Sequence, residues 1–207
     1  MATVTIAASF GAGGSVVGPA VAARLGLPFV DRAIPVQLAE QMDRPLPAAL
    51  AADERQDQDA ARHVLTRVIA SSGLFLGVPL PLEQLGADEQ VAATEEAMRR
   101  LADGEGAVIL GRAAVFVLKG RPRVLHVRLD GPVEARRRQA MTHEGIDYAT
   151  ACARQERTDR ARAAYVSHFH PEGGRWEDPR HYHMVLDSTA ISLETCVELI
   201  TLAARDL

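Results

Sequence analysis

Hydrophobic positions along the chain come in short unbroken runs, separated by longer stretches with helical spacing. Val4-Thr5-Ile6-Ala7-Ala8 reads as a strand that runs into the glycine cluster Gly11-Ala12-Gly13-Gly14. Ser15–Leu25 reads as a helix stopped by Gly26, with Pro19 as a blemish that a first turn would tolerate. Pro28-Phe29-Val30 gives a second short strand ending at Asp31. Helices are expected from about Ala33 to Met42 and from about Pro47 to Ala70, divided by Pro45 and Pro47. Leu74–Leu82 is apolar, but its prolines forbid a regular helix. Helical periodicity returns over Asp88–Leu101, with Val91, Ala97, Met98 and Leu101 to one side. Ala107–Leu110 and Val124–Leu129 are apolar runs of strand length, the first closed by Gly111-Arg112. A helix should open near Pro132 and another should span roughly Tyr148–Phe169. His183–Asp187 is the last strand expected, followed by a helix with Ser192 as N-cap and Glu194 in its first turn.

Short apolar strands alternating with helices indicate a parallel sheet covered on both faces. The length of 207 residues suits one domain with a substantial core. No apolar run approaches the length of a membrane span, and the N-terminus lacks the basic start and apolar stretch of a secretion signal. Cys152 and Cys196 stand far apart without metal-ligand spacing. A cytoplasmic protein that engages no membrane is therefore expected.

Charge changes the picture in one region. The net charge is −4, yet residues 112–162 carry twelve basic and six acidic side chains. Such a block is either a solvated face or an anion-binding region. Nearly all of it is arginine, since Lys119 is the only lysine in the chain. The acidic balance elsewhere and the 4% aromatic content disfavour nucleic-acid binding. His168, His170, His181 and His183 are interrupted by Pro171-Glu172-Gly173-Gly174 and lack the one-helix spacing of a metal site. Trp176 and Tyr182 read as packing for the loop before the last strand.

A strand, then glycines, then a helix is an arrangement that cradles phosphate. Glycine lets backbone N–H groups approach an anion, and the helix N-terminus adds positive potential. Gly-rich turns also simply connect strands to helices, so the loop needs support from elsewhere. That support is a set of segments in a fixed order. Thr5–Gly14, Arg24–Arg32, Val108–Arg112, Glu144-Gly145-Ile146, Thr158–Tyr165 and Tyr182–Thr189 together resemble the cytidylate kinase-like family. The likeness covers most of the chain outside residues 45–100.

The resemblance implies a P-loop NTPase-type three-layer α/β sandwich of about five parallel strands with helices on both faces. It implies a helical acceptor-binding insert over about 35–105 and an arginine-rich lid over about 132–182 within one domain, 1–207. It further implies transfer of the γ-phosphoryl of ATP, with Mg²⁺, to a nucleoside monophosphate such as CMP. Gly11, Ala12, Gly13, Gly14, Ser15 and Val16 would hold the donor phosphates, with the Ser15 hydroxyl a candidate Mg²⁺ ligand. Arg112 would grip the acceptor's phosphate, against the alternative of a salt bridge to the acidic insert. Asp31 and Arg32 would contact the acceptor, though Asp31 serves equally well as a helix cap. Arg136 and Arg162 would stabilise the transferring group, while Asp159 either orients an arginine, helps hold the metal, or makes a plain i,i+3 helix pair with Arg162.

One departure stands out. A full phosphate loop reads G-x-x-x-x-G-K-[ST], its lysine reaching the β- and γ-phosphates. Aligned on Gly13, this chain has Ala8 for the first glycine and Gly14 for the lysine. A second reading therefore stands beside the kinase: a catalytically weak or inactive nucleotide-binding, regulatory protein on the same fold. A dinucleotide-binding reading fails because Val16 occupies the third glycine of G-x-G-x-x-G. The apolar Leu74–Leu82 reads as core or as a homodimer contact.

Overall fold

The computed structural model describes residues 2–31, 87–111 and 113–207, and for 87–90 the backbone alone. The helices expected at 33–42 and 47–70, the apolar stretch Leu74–Leu82, Arg32 and Arg112 lie outside the described residues. The strands are β1 (Thr3–Ala8), β2 (Phe29–Asp31), β3 (Val108–Leu110), β4 (Val124–Asp130) and β5 (Met184–Asp187). The helices are α1 (Gly14–Leu25), α2 (Ala87–Asp103), α3 (Ala114–Val117), α4 (Val133–Glu144), α5 (Tyr148–Phe169) and α6 (Leu193–Arg205).

The strands form one parallel sheet in the order β2-β3-β1-β4-β5. The central strand β1 is buried at all six positions, as expected for a strand covered on both faces. Its even-numbered side chains Val4, Ile6 and Ala8 join Val127, Leu129, Val17, Val21, Val197 and Ile200 in a core beneath α1 and α6. On the opposite face Ala7 packs with Tyr165, Val166, Trp176 and Tyr182. Farther along that face, Val30, Ile109, Leu118 and Met98 close a third cluster. Fully burying aliphatic side chains of this size is worth roughly 1.5–3 kcal/mol each. Val4 and Ile6 of β1 therefore hold α1 and α6 on one face of the sheet, while Ala7 faces the cluster on the other.

Helix ends follow the local chemistry. The Asp147 side chain accepts from the Thr150 N–H at 2.7 Å and opens α5, and the Ser192 hydroxyl accepts from the Thr195 N–H at 3.0 Å and opens α6. Gly26 closes α1 at φ 66°, bonding back to Ala22 and Ala23. Pro19 lies inside α1, past its first turn. It removes the amide that would bond the Ser15 carbonyl, and both residues are exposed.

Strand order places the functional edge. The chain leaves β1 toward β2 on one side and leaves β4 toward β5 on the other. A crevice forms beyond the carboxyl ends of strands whose connections diverge in this way. The glycine loop, Asp130 and the end of β3 all reach that edge.

Candidate functional site

The loop between β1 and α1 turns twice through the left-handed region, at Gly11 (φ 74°) and Gly13 (φ 73°). A Cβ on Gly11 would collide with the backbone carbonyl of Arg136, so glycine is required there by space as well as by φ. These turns leave the amides of Gly11, Gly13, Gly14 and Ser15 without a hydrogen-bond partner among the described residues. The Ala12 amide bonds the Ser9 carbonyl at 3.0 Å and the Val16 amide bonds the Gly13 carbonyl at 3.0 Å. Of the six residues expected to hold phosphate, four thus present amides and two do not.

The place of the missing lysine is filled. Gly14 is buried, and a Cβ there would lie 2.6 Å from the Cβ of Ala8 and 3.1 Å from a Leu110 methyl. The two departures from the full motif are therefore one change in space. Ala8 carries the methyl, and Gly14 yields the room for it.

Helix α5 closes over the loop through Asp159. Its carboxylate accepts from the Phe10 N–H at 3.1 Å, from Gln155 Nε2 at 3.0 Å and from Arg136 Nη1 at 3.1 Å. Arg162 Nη1 stands 3.5 Å from the same carboxylate and donates to the Ala8 carbonyl at 2.9 Å. Asp159 therefore does far more than pair with Arg162 on its own helix: it joins α4, α5 and the loop at one point.

Arg136 sits deeper than expected. Only 6% of its side chain is exposed. Its Nη1 donates to the Phe10 carbonyl at 2.7 Å, and its Nε donates to the Gly131 carbonyl at 2.9 Å and stands 3.5 Å from Asp130. Gln139 Nε2 adds a bond to the Gly11 carbonyl at 2.9 Å. A guanidinium with this many protein acceptors is a brace that fixes the loop's shape. Nothing in the sequence marked Gln139 or the Asp130 carboxylate, because single polar residues carry no spacing signal.

Asp31 ends β2 in register with Leu110 of β3, half-buried at the same edge. Arg32 and Arg112, its expected companions, lie outside the described residues. Arg128 is held away from the loop by Asp130 and the Glu177 carbonyl and stacks on Trp176, 5.1 Å from the ring centroid. Tyr182 bonds the Trp176 carbonyl at 2.5 Å, so both rings serve as packing.

The fit for the implied groups differs between them. Four amides at glycine turns and a helix start suit a phosphate chain. Mg²⁺ takes one or two protein oxygens beside phosphates and waters. The exposed Ser15 hydroxyl fits one such oxygen, whereas Asp130 is committed to Arg128 and Arg136. Among the described residues no group of three His, Cys, Asp or Glu side chains is arranged to hold a metal, and no helix is long and apolar enough to cross a membrane.

Comparison of the sequence with protein families matches residues 3–190 to the cytidylate kinase-like family. The chain belongs to that family. No curated protein matches it. Among solved structures, this cytidylate kinase-like chain is similar to an uncharacterized protein from Eubacterium ventriosum, with 19% identity, both chains covered in full and a TM-score of 0.66. It also aligns with a gluconokinase from Sinorhizobium meliloti, at 18% identity over 98% of this chain and 90% of that one, with a TM-score of 0.48. Family and topology agree: the five-stranded parallel sheet, with helices around it and a glycine loop leaving its central strand, is of the α/β P-loop type.

Proposed function

We propose that this protein transfers a phosphoryl group from ATP to a nucleoside monophosphate, CMP being the first acceptor to test. A kinase-like phosphotransfer is what membership of the cytidylate kinase-like family supports. The observation that carries the reading onto this chain is the set of unbonded amides at Gly11, Gly13, Gly14 and Ser15, facing the crevice edge of the sheet. When bound, ATP supplies the phosphoryl group and Mg²⁺ offsets its charge. The chain's own part is placement. Backbone amides orient the donor phosphates, Arg136 and Gln139 keep the loop in shape, and Asp159 aligns Arg162 beside it. Asp31, Arg32 and Arg112 are assigned to the acceptor, with Arg112 gripping its phosphate in a forked contact. Closure of α5 would exclude water from the transfer, which strengthens every charge interaction inside. The 132–182 region is the moving lid in this account.

The acceptor assignment is tested at Arg112. Arg112→Ala should raise the acceptor KM by roughly ten- to a hundredfold, the loss of one charge-assisted contact. An unchanged KM removes Arg112 from the site.

A regulatory, weakly active nucleotide binder is the second reading, and one observation favours it. The Asp159 carboxylate bonds the Phe10 amide and both arginines, so the loop is already satisfied there by an internal anion. Slow ATP turnover alongside micromolar nucleotide binding would decide for it.

A further inference from the structure

We propose that Gln155, a buried amide on α5, is a positioning residue that aims the Asp159 carboxylate at the glycine loop, and that Arg137 of α4 sets the direction in which this amide points. Its bearing on phosphoryl transfer rests on the phosphate-binding reading of the loop given above.

The argument starts from what each partner of Gln155 can do. Arg137 Nη2 donates to Gln155 Oε1 at 2.7 Å, and Gln155 Nε2 donates to Asp159 Oδ2 at 3.0 Å. A guanidinium can only donate, and an ionised carboxylate can only accept. Of the two ways an amide can face, only one therefore serves both neighbours. The flipped amide would set N–H groups against the guanidinium and an oxygen against the carboxylate. Gln155 is buried, so water does not offer it an alternative partner freely. The charge on α4 thus fixes a donor on α5.

That donor decides how Asp159 meets the loop. Gln155 and Asp159 lie one helical turn apart and share a face of α5. Asp159 Oδ2 accepts from Gln155 and from Arg136 Nη1, whereas Oδ1 accepts from the Phe10 N–H at 3.1 Å and stands 3.5 Å from Arg162. The last torsion of an aspartate is soft, so its carboxylate turns easily unless its oxygens are held. Two donors on Oδ2 hold the group so that Oδ1 faces Phe10. At the other end, Arg137 donates to Glu134 at 2.7 Å and stands 3.7 Å from Glu156, and Glu134 accepts from the Tyr148 hydroxyl at 2.8 Å. Consecutive arginines of α4 therefore have separate tasks. Arg136 braces the loop directly, and Arg137 acts on it through Gln155 and Asp159. Gln155 itself puts no atom on the loop, and its effect passes through the carboxylate.

The test reads the Phe10 amide by hydrogen exchange in the full chain, as a protection factor, with thermal melting as a check on folding. Gln155→Met keeps the length without the donor and should lower Phe10 protection about five- to twentyfold. Arg137→Met should lower it similarly, and the double variant should lose no more than about twofold beyond either single one. Gln155→Glu gives a signature that packing alone would not. Arg137 would hold one oxygen of the new carboxylate, and the other would face Asp159 Oδ2 where the N–H stood. The charged groups around the pair are Arg136 and Arg137 on α4 and Arg162 on α5, with Glu134 and Glu156 beyond Arg137. Two carboxylates this close share a proton as pH falls, and that proton restores the missing donor. Phe10 protection in Gln155→Glu should therefore be weak near about pH 8 and approach the parent's near about pH 5. Arg138→Ala, on the exposed side of α4, should match the parent. If Gln155→Met melts below the assay temperature, Arg137→Met and Gln155→Glu carry the test.

Parent-like Phe10 protection in the neutral variants overturns the proposal, as do additive losses in the double variant or a Gln155→Glu protection that ignores pH. With ATP, Mg²⁺ and CMP, Gln155→Met should lower kcat about tenfold and leave acceptor KM within about threefold. A parent chain without turnover would remove the kinase reading, while the Phe10 series would still decide the role of Gln155.

Discussion

Ala8 and Gly14 show how a motif can be altered at two positions by one physical change. Because their Cβ positions lie 2.6 Å apart, the loop has room for one side chain and not for two. Gly14→Lys alone should therefore destabilise the fold by about 1–3 kcal/mol through overpacking. The pair Ala8→Gly/Gly14→Lys should regain most of that, and urea denaturation of the two variants checks the difference. Another single residue with a legible consequence is His126. Its Nδ1 is 2.7 Å from the Thr5 hydroxyl, the Leu118 backbone bonds the ring, and the His183 ring stacks on it at 5.1 Å. Burial first, and then His183, lower its pKa to about 4, while the Leu118 contact pulls the other way. The unfolded chain therefore binds a proton here at pH values where the folded chain does not. Stability is complete above about pH 6.5 and falls as pH drops toward 4, by up to about 3 kcal/mol. His126→Gln should flatten that part of the stability curve. A curve as steep as the parent's would place the acid sensitivity in other groups.

At the scale of elements, α5 matters through its contacts more than through its own helicity. Asp159 joins it to Phe10, Arg136 and Arg162, and Arg136 is nearly fully enclosed. Removing the carboxylate leaves that guanidinium with an uncompensated charge. Asp159→Ala should cost about 2–4 kcal/mol and speed amide exchange along α5. Unaltered exchange would mean that α5 is held by Tyr165 and Val166 alone. Much of this layer was legible in the sequence. The apolar runs gave β1, β4 and β5 within a residue or so, and Ser192 capped α6 as its residue type suggests. The span Tyr148–Phe169 was read with the bounds it has. What stayed hidden depends on contacts distant in sequence or on very short elements. The single turn α3 has no periodicity to detect. Arg136 is expected at the transferring group, and its bonds to the Phe10 and Gly131 carbonyls and to Asp159 are contacts that no spacing rule connects to it. Motif alignment registers Ala8 and Gly14 as two separate departures, because it has no knowledge that they touch.

For the whole molecule, the sheet order brings β1 and β4 together with diverging exits, and among the described residues the glycine loop, Asp130, Asp159 and Arg162 meet there. The loop offers amides, α4 braces it through Arg136 and Gln139, and α5 meets it through Asp159 and Arg162. Turnover should then depend on lid docking more than on the affinity of the loop itself, so Asp159→Asn should lower kcat by at least about tenfold and leave acceptor KM much less affected. Equal changes in both would place Asp159 in acceptor binding.

The most direct test of the central claim is steady-state ADP formation by the purified full chain with ATP, Mg²⁺ and CMP, run beside the other nucleoside monophosphates. The account predicts ADP release that requires a monophosphate and is lost with Arg162→Met. ATP consumed at the same rate with and without any acceptor, or no ADP formed with any of them, would contradict it.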